Sequence, residues 1–415
     1  MTLNNRPIVF VANSSWYLAH YRNGLIKKCS LDNKVITLSP IDQSTEYLSK
    51  ISTHIVWKIY RKKSANPLAF IISLIRMFFL LKAIKPRLIH SHTLKANFVV
   101  SICAAFFGIP CILSFAGLGN LNIGLKKIFL EIILKFIHIV GDLDRSGPLN
   151  IKINHKRTKY IFQNSKDKKI FEKICKPYKN KLLLIPGSGV PDEFLQKINK
   201  EELNKEKSYF IKNRKIKGLI YCGRLLKSKG IELFINIAKL DPSREYIVFG
   251  GIDNSSADSL TLEDIDSYKK IKNLNFKGYV KSPLLDFYSK SYVLVIPSIY
   301  GEGLPRAIAE ALLLKIPVLS SRNALCETFS NEMLYIANSR DPKLYLETIN
   351  LIEKEIDTNE FLNKLEFGRN YVLKNLTEER IIIDTLKVYQ IIDAEKKEIY
   401  LNKDYQINSK NWISN

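Results

Sequence analysis

Two acidic side chains and two cations carry the chemistry that this sequence could perform. Glu302 and Glu310 stand eight positions apart in the stretch 297–321, PSIYGEGLPRAIAEALLLKIPVLSS. The apolar run Tyr292–Ile296 before them reads as a strand, and Ile316–Ser320 after them reads as another. Between the two, Gly303, Leu304 and Pro305 turn the chain into a helix. Ligands of open α/β sheets bind at the carboxyl ends of strands, where this turn must lie. Pro305 suits a first helical turn because its missing N–H would be unpaired there anyway. Free backbone N–H groups around Gly303, Leu304 and Arg306 would form an anion site, reinforced by the helix dipole. One carboxylate precedes the helix and the other lies within it, so both can grip hydroxyls of a ligand whose phosphates rest at the helix start.

A second stretch, 219–232, LIYCGRLLKSKGIE, supplies the cations. Strand residues Leu219–Cys222 end in Gly223 and Arg224; five residues later come Lys229 and Gly230, and a helix is expected over Ile231–Leu240. Glycine lets backbone approach a ligand closely. Arginine offers a planar fork of donors to phosphate, and lysine a compact point charge. Two such cations across one strand–helix loop can neutralise a diphosphate without a metal. A sugar nucleotide has the matching polarity, with hydroxyls at both ends and phosphates between. Surface carboxylates and surface cations of a basic protein are the plain alternative for each stretch alone; the two motifs together favour the functional reading.

Together these stretches resemble the donor-binding half of family 4 retaining glycosyltransferases of the GT-B fold. Further landmarks agree in order: 185–190 (IPGSGV) with Phe194, 245–251 (EYIVFGG) and 276–280 (FKGYV) in the carboxyl half, and 8–22 (IVFVANSSWYLAHYR) and 88–97 (LIHSHTLKAN) in the amino half. The resemblance spans about residues 6–390 and is stronger in the carboxyl half. The form GLPRAIAEAL is most similar to enzymes that build O-antigen, capsule and related lipid-linked bacterial glycans.

The resemblance implies a hexosyltransferase that moves a sugar, with retention and without a metal or other cofactor, from a nucleotide diphosphate sugar to an undecaprenyl-diphosphate-type lipid-linked glycan. UDP is the expected nucleotide. It implies that Arg224 and Lys229 bind the diphosphate, with Gly223 beside them, that Glu310 holds the ribose, and that Glu302 touches the sugar and supports a cationic transition state. Backbone N–H groups near Gly303 and Leu304 would meet phosphate; Pro305 cannot donate, which shifts one contact to Leu304 or Arg306. On the acceptor side it points to Ser14, Ser15, Trp16, His20, Arg22 and Gly117. Many such enzymes carry a histidine where Ser114–Gly119 reads SFAGLG and Ala116 stands in its place. His92 and His20 are the candidates for that catalytic contact; each could equally close a strand or loop with a satisfied hydrogen bond.

The elements that must position these groups follow from the hydrophobic pattern. Apolar strands alternate with helix-period segments through both halves, as parallel sheets covered by helices require. The expected class is α/β: two Rossmann-like domains whose parallel sheets face a central cleft. Residues 1–190 form the acceptor domain, 191–217 a linker, 218–375 the nucleotide-sugar domain, 376–400 a helix crossing back, and 401–415 a loose tail. Amino-half strands are expected near Ile8–Ala12, Lys34–Leu38, Arg87–His90, Cys111–Phe115, Ile137–Val140, Tyr160–Gln163 and Leu182–Ile185. Helices are expected at Asp357–Asn375 and Glu378–Tyr400, the last allowing hinge closure of the cleft.

Charge is unevenly placed. The net charge is +24, yet residues 1–190 hold 30 Lys and Arg against 8 Asp and Glu, leaving 34 against 32 for 191–415. A basic half attracts an anionic membrane by about 1 kcal/mol per cation near the surface. In 123–140, IGLKKIFLEIILKFIHIV, Lys126, Lys127 and Lys135 could meet headgroups while Phe129, Ile133 and Phe136 enter the interface; a core helix with a solvated edge fits as well. Arg61–Lys63 and His155–Lys159 read as exposed basic loops. The uncharged stretch Ala96–Leu125 is long enough to span a bilayer, but Gly108-Ile109-Pro110 and Gly117-Leu118-Gly119 break it into helix, turn and strand. The start MTLNNRPIVFV reads as a strand rather than a signal peptide, so residence is expected in the cytoplasm, peripheral on the inner membrane face, as a monomer or weak dimer.

Six cysteines show no paired spacing and are expected to be free thiols. Two D-x-D triplets occur. Asp264 and Asp266 sit in a charged helical stretch; Asp142 and Asp144 are expected to follow a strand, as capping carboxylates more readily than as metal ligands. A UDP-sugar 2-epimerase of the same architecture is the main alternative, but the amino half offers few acid/base groups for it. A basic nucleic-acid or membrane-binding protein without catalysis is the other; no recognisable nucleic-acid module is present and no nucleic-acid partner is expected.

Overall fold

The computed structural model describes residues 6–58, 67–118, 125–145, 151–153, 157–198, 215–253, 256–287, 291–325, 327–356 and 358–411. The amino half contributes strands β1 (Ile8–Val11), β2 (Val35–Ser39), β3 (Thr53–Val56), β4 (Leu88–His92), β5 (Cys111–Phe115), β6 (Leu143–Arg145), β7 (Ile151–Ile153), β8 (Thr158–Phe162) and β9 (Leu182–Leu184). Its helices are α1 (Ser15–Tyr21), α2 (Asn23–Asp32), α3 (Thr45–Ile51), α4 (Pro67–Ile84), α5 (Leu94–Phe106), α6 (Leu125–Asp142), α7 (Ser165–Cys175) and α8 (Asp192–Gln196). Seven strands form one parallel sheet in the order β3-β2-β1-β4-β5-β8-β9, while β6 and β7 pair antiparallel by themselves. The order reverses beside β1 and β4, which is the doubly wound pattern that opens a ligand crevice at the strand ends.

Strands β1, β2, β4, β5 and β8 are buried on both faces, as helices on both sides of a parallel sheet demand. In β1, Val9 and Val11 enter one core with Ile89, Leu113 and Phe162, while Ile8 and Phe10 enter the opposite core. That alternation is the period of two of an extended chain. The second core is completed by Ile381, Val388, Tyr389 and Ile392 of the last helix.

The carboxyl half contributes β10 (Gly218–Cys222), β11 (Glu245–Phe249), β12 (Leu274–Gly278), β13 (Tyr292–Ile296), β14 (Val318–Ser321) and β15 (Tyr335–Ala337). Its helices are α9 (Ile231–Leu240), α10 (Leu262–Tyr268), α11 (Arg306–Leu313), α12 (Pro342–Glu355), α13 (Asn359–Asn375) and α14 (Glu378–Asn411). A second parallel sheet runs β12-β11-β10-β13-β14-β15. The architecture is the expected α/β pair of Rossmann-like domains, with the carboxyl ends of both sheets turned to a shared cleft.

Helix α14 returns to the first domain and is pinned there. Glu378 accepts from the Gly24 amide at 3.3 Å, the Tyr389 hydroxyl meets His90 Nδ1 at 2.8 Å, and Glu395 pairs with Lys159 at 2.7 Å. It is one continuous helix to Asn411, so the described part of the expected loose tail, 401–411, continues the helix instead.

Four further expectations change. Residues 137–140 are not a strand but the end of α6, because Ile137 continues the buried spacing of Leu130 and Leu134 one helical turn at a time. Asp142 therefore closes a helix rather than following a strand, and it pairs with buried Lys181. Strand β3 went unrecognised because its residues, Thr53–Val56, are only partly buried and mostly lack a hydrophobic run. The 155–159 segment is no exposed loop where it is described. Arg157 is buried, donating to the carbonyls of Ile109, Val140 and Gly141, and Lys159 is buried against Glu395. Residues 61–63, Lys126 and most of the proposed linker lie outside the described residues or side chains.

Candidate functional site

Glycine brings the two cation- and acid-bearing loops together. Gly230 takes a left-handed φ of 78°, and a Cβ there would stand 2.1 Å from the Pro297 carbonyl oxygen. The 223–230 loop can therefore lie directly on the 297–305 loop, an approach no side chain permits. The Ile299 amide donates to the Ser228 carbonyl at 2.8 Å and seals the contact. Gly250 does the same on the other flank, since a Cβ there would stand 1.8 Å from the Gly223 carbonyl oxygen.

In that setting Lys229 Nζ reaches both Glu302 carboxylate oxygens, at 2.9 and 3.0 Å. Ser298 Oγ donates to the same carboxylate at 2.9 Å. The side chains are 20% and 11% exposed, so most water is excluded from the pair. Burial works against the Lys229 ammonium, but Glu302, with nearby Tyr300, outweighs it and raises its pKa above the ordinary lysine value. Arg224 lies at the mouth, 53% exposed, and pairs with Asp253 at 2.7 Å. Together Arg224, Ser228, Asp258, Tyr300, Glu302 and Gly303 face Ala116 and Gly117 of the first domain across a cleft of about 340 Å³.

Helix α11 opens at Arg306 behind Pro305, and no side chain caps its amino end. Glu310, one turn along, is almost fully buried, 8% exposed, near Cys222 at the end of β10. Burial pushes its carboxyl up to about 7, partly opposed by Arg306. It is not among the residues that line the cleft. Gly223 itself sits 3.8 Å, by a built Cβ, from the Lys229 side chain.

Of the other predicted residues, Leu304 and Arg306 bridge the domains, and Ser14, Ser15, Trp16 and Arg22 bond within the first domain. Leu304 packs over Gly187, whose Cβ would meet it at 2.8 Å. The Arg306 guanidinium leaves the cleft, donating to the His20 carbonyl at 2.9 Å and Ser188 Oγ at 2.6 Å and lying over the Tyr21 ring at 4.5 Å. Arg22 is buried and donates to the Gly187 carbonyl and the Tyr17 hydroxyl. Ser14 caps α1, Ser15 is buried on Ser39 and Pro40, and the Trp16 amide donates to Asp42. His20 stacks on Trp16 at 4.5 Å and its Nδ1 meets the Trp16 carbonyl.

His92 is wholly buried among Phe10, Tyr17 and His90, and neither ring nitrogen has a hydrogen-bond partner. Burial, with His90 and Arg22 nearby, holds its pKa well below the usual histidine range, so the ring is neutral. It presents no atom to the cleft. The D-x-D residues have local roles where described: Asp264 forms a capping box with Thr261, and Asp266 pairs with Lys269.

Motif reading missed the supporting residues Ser298, Ser228, Asp258, Tyr300 and Asn164. Asn164 Nδ2 reaches the Glu302 carbonyl at 3.3 Å from the opposite domain. Ser298 and Tyr300 were legible as neighbours of Glu302; Asn164 and Asp258 carry no sequence signal that ties them to it.

The raised carboxyl of Glu310 has a signed consequence. The folded chain keeps a proton that the unfolded chain releases from about pH 4.3 upward, so this group lowers folding stability as pH rises to about 7. Glu310→Gln should gain on the order of 1–3 kcal/mol over wild type at pH 8 and little at pH 4. Denaturant unfolding at the two pH values measures it; an equal effect at both would contradict the neutral, buried acid.

Residues 204–364 match the family described as Glycosyl transferases group 1. An uncharacterized glycosyltransferase of Methanocaldococcus jannaschii is 28% identical over 393 residues, covering 85% of this chain and 86% of its own. An Escherichia coli UDP-Gal:alpha-D-GlcNAc-diphosphoundecaprenol alpha-1,3-galactosyltransferase is 26% identical over 255 residues, covering 60% and 61%. Among solved structures, a glycosyltransferase from Rickettsia africae matches with TM-score 0.67 at 16% identity over 94% of this chain and 99% of that one. Anabaena HepE in complex with UDP matches with TM-score 0.67 at 14% identity over 92% and 99%. These two share the fold. The paired parallel sheets and the sequence match agree: this chain has the GT-B fold, carries a glycosyl transferases group 1 domain over residues 204–364, and is a glycosyltransferase.

Proposed function

We propose that the chain transfers one sugar, with retention and without a metal, from a UDP-sugar to a polyprenyl-diphosphate-linked glycan. The observation that carries this reading is Glu302 on the cleft wall, held by Lys229 next to it, with Arg224 at the mouth. The UDP complex of the Anabaena structure and the lipid-linked substrate named for the Escherichia coli relative support the choice of donor and acceptor.

In this reading the diphosphate lies between Arg224, Lys229 and the uncapped start of α11, with backbone N–H groups near Gly303 and Leu304 in reach. Charge accumulates on the leaving diphosphate as the glycosidic bond breaks. Cations already held in place stabilise that charge more in the transition state than in the ground state. Glu302, steadied by Ser298 and Lys229, faces the sugar and supports its oxocarbenium character; Glu310, outside the cleft lining and beside Cys222 at the end of β10, takes the ribose hydroxyls where the nucleoside extends past that lining. The acceptor hydroxyl attacks the face from which the diphosphate departs, and a phosphate oxygen receives its proton. Bacterial surface-polysaccharide synthesis, such as O-antigen or capsule, is the pathway class in which such a transfer belongs.

A membrane-facing surface fits a lipid-linked acceptor. Leu68, Ile71, Ile72, Ile75 and Phe79 on α4, and Ile128, Phe129, Ile132, Phe136 and Ile139 on α6, are 40–63% exposed. They repeat at helical spacing on two helices packed against α5. Exposed Arg76, Lys82, Lys127 and Lys135 border them, suited to anionic headgroups at the cytoplasmic face. Ile133, expected to enter the lipid, packs partly into the core instead. Among the described residues no helix is long and apolar enough to cross a membrane.

Two experiments test the proposal. Purified Lys229→Ala should lose about a hundred- to thousand-fold in transfer rate from its nucleotide sugar, with a cooperative unfolding transition retained. Near-normal turnover would remove Lys229 from the reaction. Replacing Ile128, Phe129 and Ile132 together by Ser should weaken flotation with anionic vesicles by about tenfold or more. Unchanged flotation would leave the two-helix face without a lipid role.

A further inference from the structure

We propose that Asn164 and Asp167 are positioning residues for transfer, holding the Ala116–Leu118 loop of one domain and the Glu302–Gly303 peptide of the other as a single cleft floor. The proposal rests on the transferase reading above and adds residues that neither motif contains.

The two loops meet at glycines. A Cβ on Gly117 would stand 3.3 Å from the Gly303 nitrogen; one on Gly303 would stand 2.6 Å from both the Ala116 carbonyl oxygen and Gln163 Oε1. Such contact alone would let the loops slide. Asn164 and Asp167, only 4% and 8% exposed, fix it. Asn164 Oδ1 accepts from the Asp167 amide at 2.7 Å and so caps α7. The two hydrogens of its Nδ2 are then free, and that nitrogen donates to Asp167 Oδ2 at 2.9 Å and to the Glu302 carbonyl at 3.3 Å. Asp167 Oδ2 also accepts from the Leu118 amide at 2.9 Å. An unbroken path thus runs from Leu118 through Asp167 and Asn164 to Glu302.

Helix capping does not explain this arrangement. An acid at the third helical position ordinarily turns back to the cap residue's own amide. Asp264 does so in α10, accepting from the Thr261 amide at 2.8 Å. Asp167 holds the same position in α7, yet its carboxylate turns away to Leu118, and the cap residue reaches into the other domain. The bonds are spent on the cleft.

Their effect falls on Glu302. Lys229 and Ser298 fix its carboxylate, and Asn164 fixes its carbonyl from the far side. Ala116 offers only a methyl group on the facing wall. Placement of the wall against Glu302 therefore depends on backbone held from behind, and these two side chains hold it.

Asn164→Ser separates the roles. Serine caps a helix about as well as asparagine but is too short to reach the Glu302 carbonyl. In the full chain, kcat should fall about tenfold to a hundredfold, as sub-ångström misplacement does, while donor KM stays within about threefold. A larger share of donor should be hydrolysed by water instead of transferred, because the wall no longer sits firmly on the sugar. Asp167→Asn keeps an oxygen that can accept both bonds and should retain most activity; Asp167→Leu should lose it as Asn164→Ser does. Wild-type kcat and hydrolysis share in Asn164→Ser would overturn the proposal. So would a loss of kcat matched by a fall in melting temperature, which marks a helix cap alone. A wild-type chain inert toward every nucleotide sugar, read before any substitution, would overturn the transferase reading and this proposal with it.

Discussion

The site depends on one ion pair formed where two strand–helix loops of the second domain touch. Lys229 and Glu302 are 73 residues apart, each mostly buried, and each is an unfavourable charge to bury without the other. Their pairing requires the loops to approach more closely than any side chain would allow at position 230. Gly230 is therefore not a spacer but the condition for the pair. Glu302, once fixed, faces the first domain across the cleft, and Arg224 and Tyr300 take their places around it. In the proposed function a donor diphosphate would meet an ammonium that burial and its carboxylate partner have already desolvated.

The domain interface keeps that geometry. Arg306 ties the second domain to the first through the His20 carbonyl and the Ser188 hydroxyl and covers the Tyr21 ring, while buried Arg22 steadies the same wall from within the first domain through the Gly187 carbonyl. Helix α14 is anchored differently. The buried contacts of Tyr389 with His90 and of Glu395 with Lys159 make it part of the first domain's core. The two segments that cross between the domains pair at Val190 and Thr377 as an isolated parallel bridge.

Much of this was legible in the sequence, because parallel sheets write long apolar runs. Cys111–Phe115, Tyr292–Ile296 and the helix Ile231–Leu240 were readable to the residue. The two loops that pair Lys229 with Glu302 were legible for a related reason: glycine, proline and charge at the ends of such runs have few other uses. What escaped was non-local. Residues 137–140 look like a strand alone and become helix only with Leu130 and Leu134 in view. Arg157 and Lys159 look solvated in a basic segment, and only the fold supplies the carbonyls and Glu395 that bury them. The acceptor-side residues were chosen by resemblance, and the side chains of Ser14, Ser15, His20 and Arg22 serve a cap and bonds within the first domain. Asn164 and Asp167 carry no local mark at all, since their partners lie 138 and 49 positions away.

The central claim is that Lys229 is held by Glu302 in readiness for the donor diphosphate. A crystal structure of the chain with a bound nucleoside diphosphate tests it most directly. The account predicts that Lys229 Nζ and the Arg224 guanidinium each lie at about 2.8 Å from phosphate oxygens, with Arg224 released from Asp253. A nucleotide bound elsewhere, or one bound in the cleft with both ion pairs intact and its phosphates turned to solvent, would contradict it.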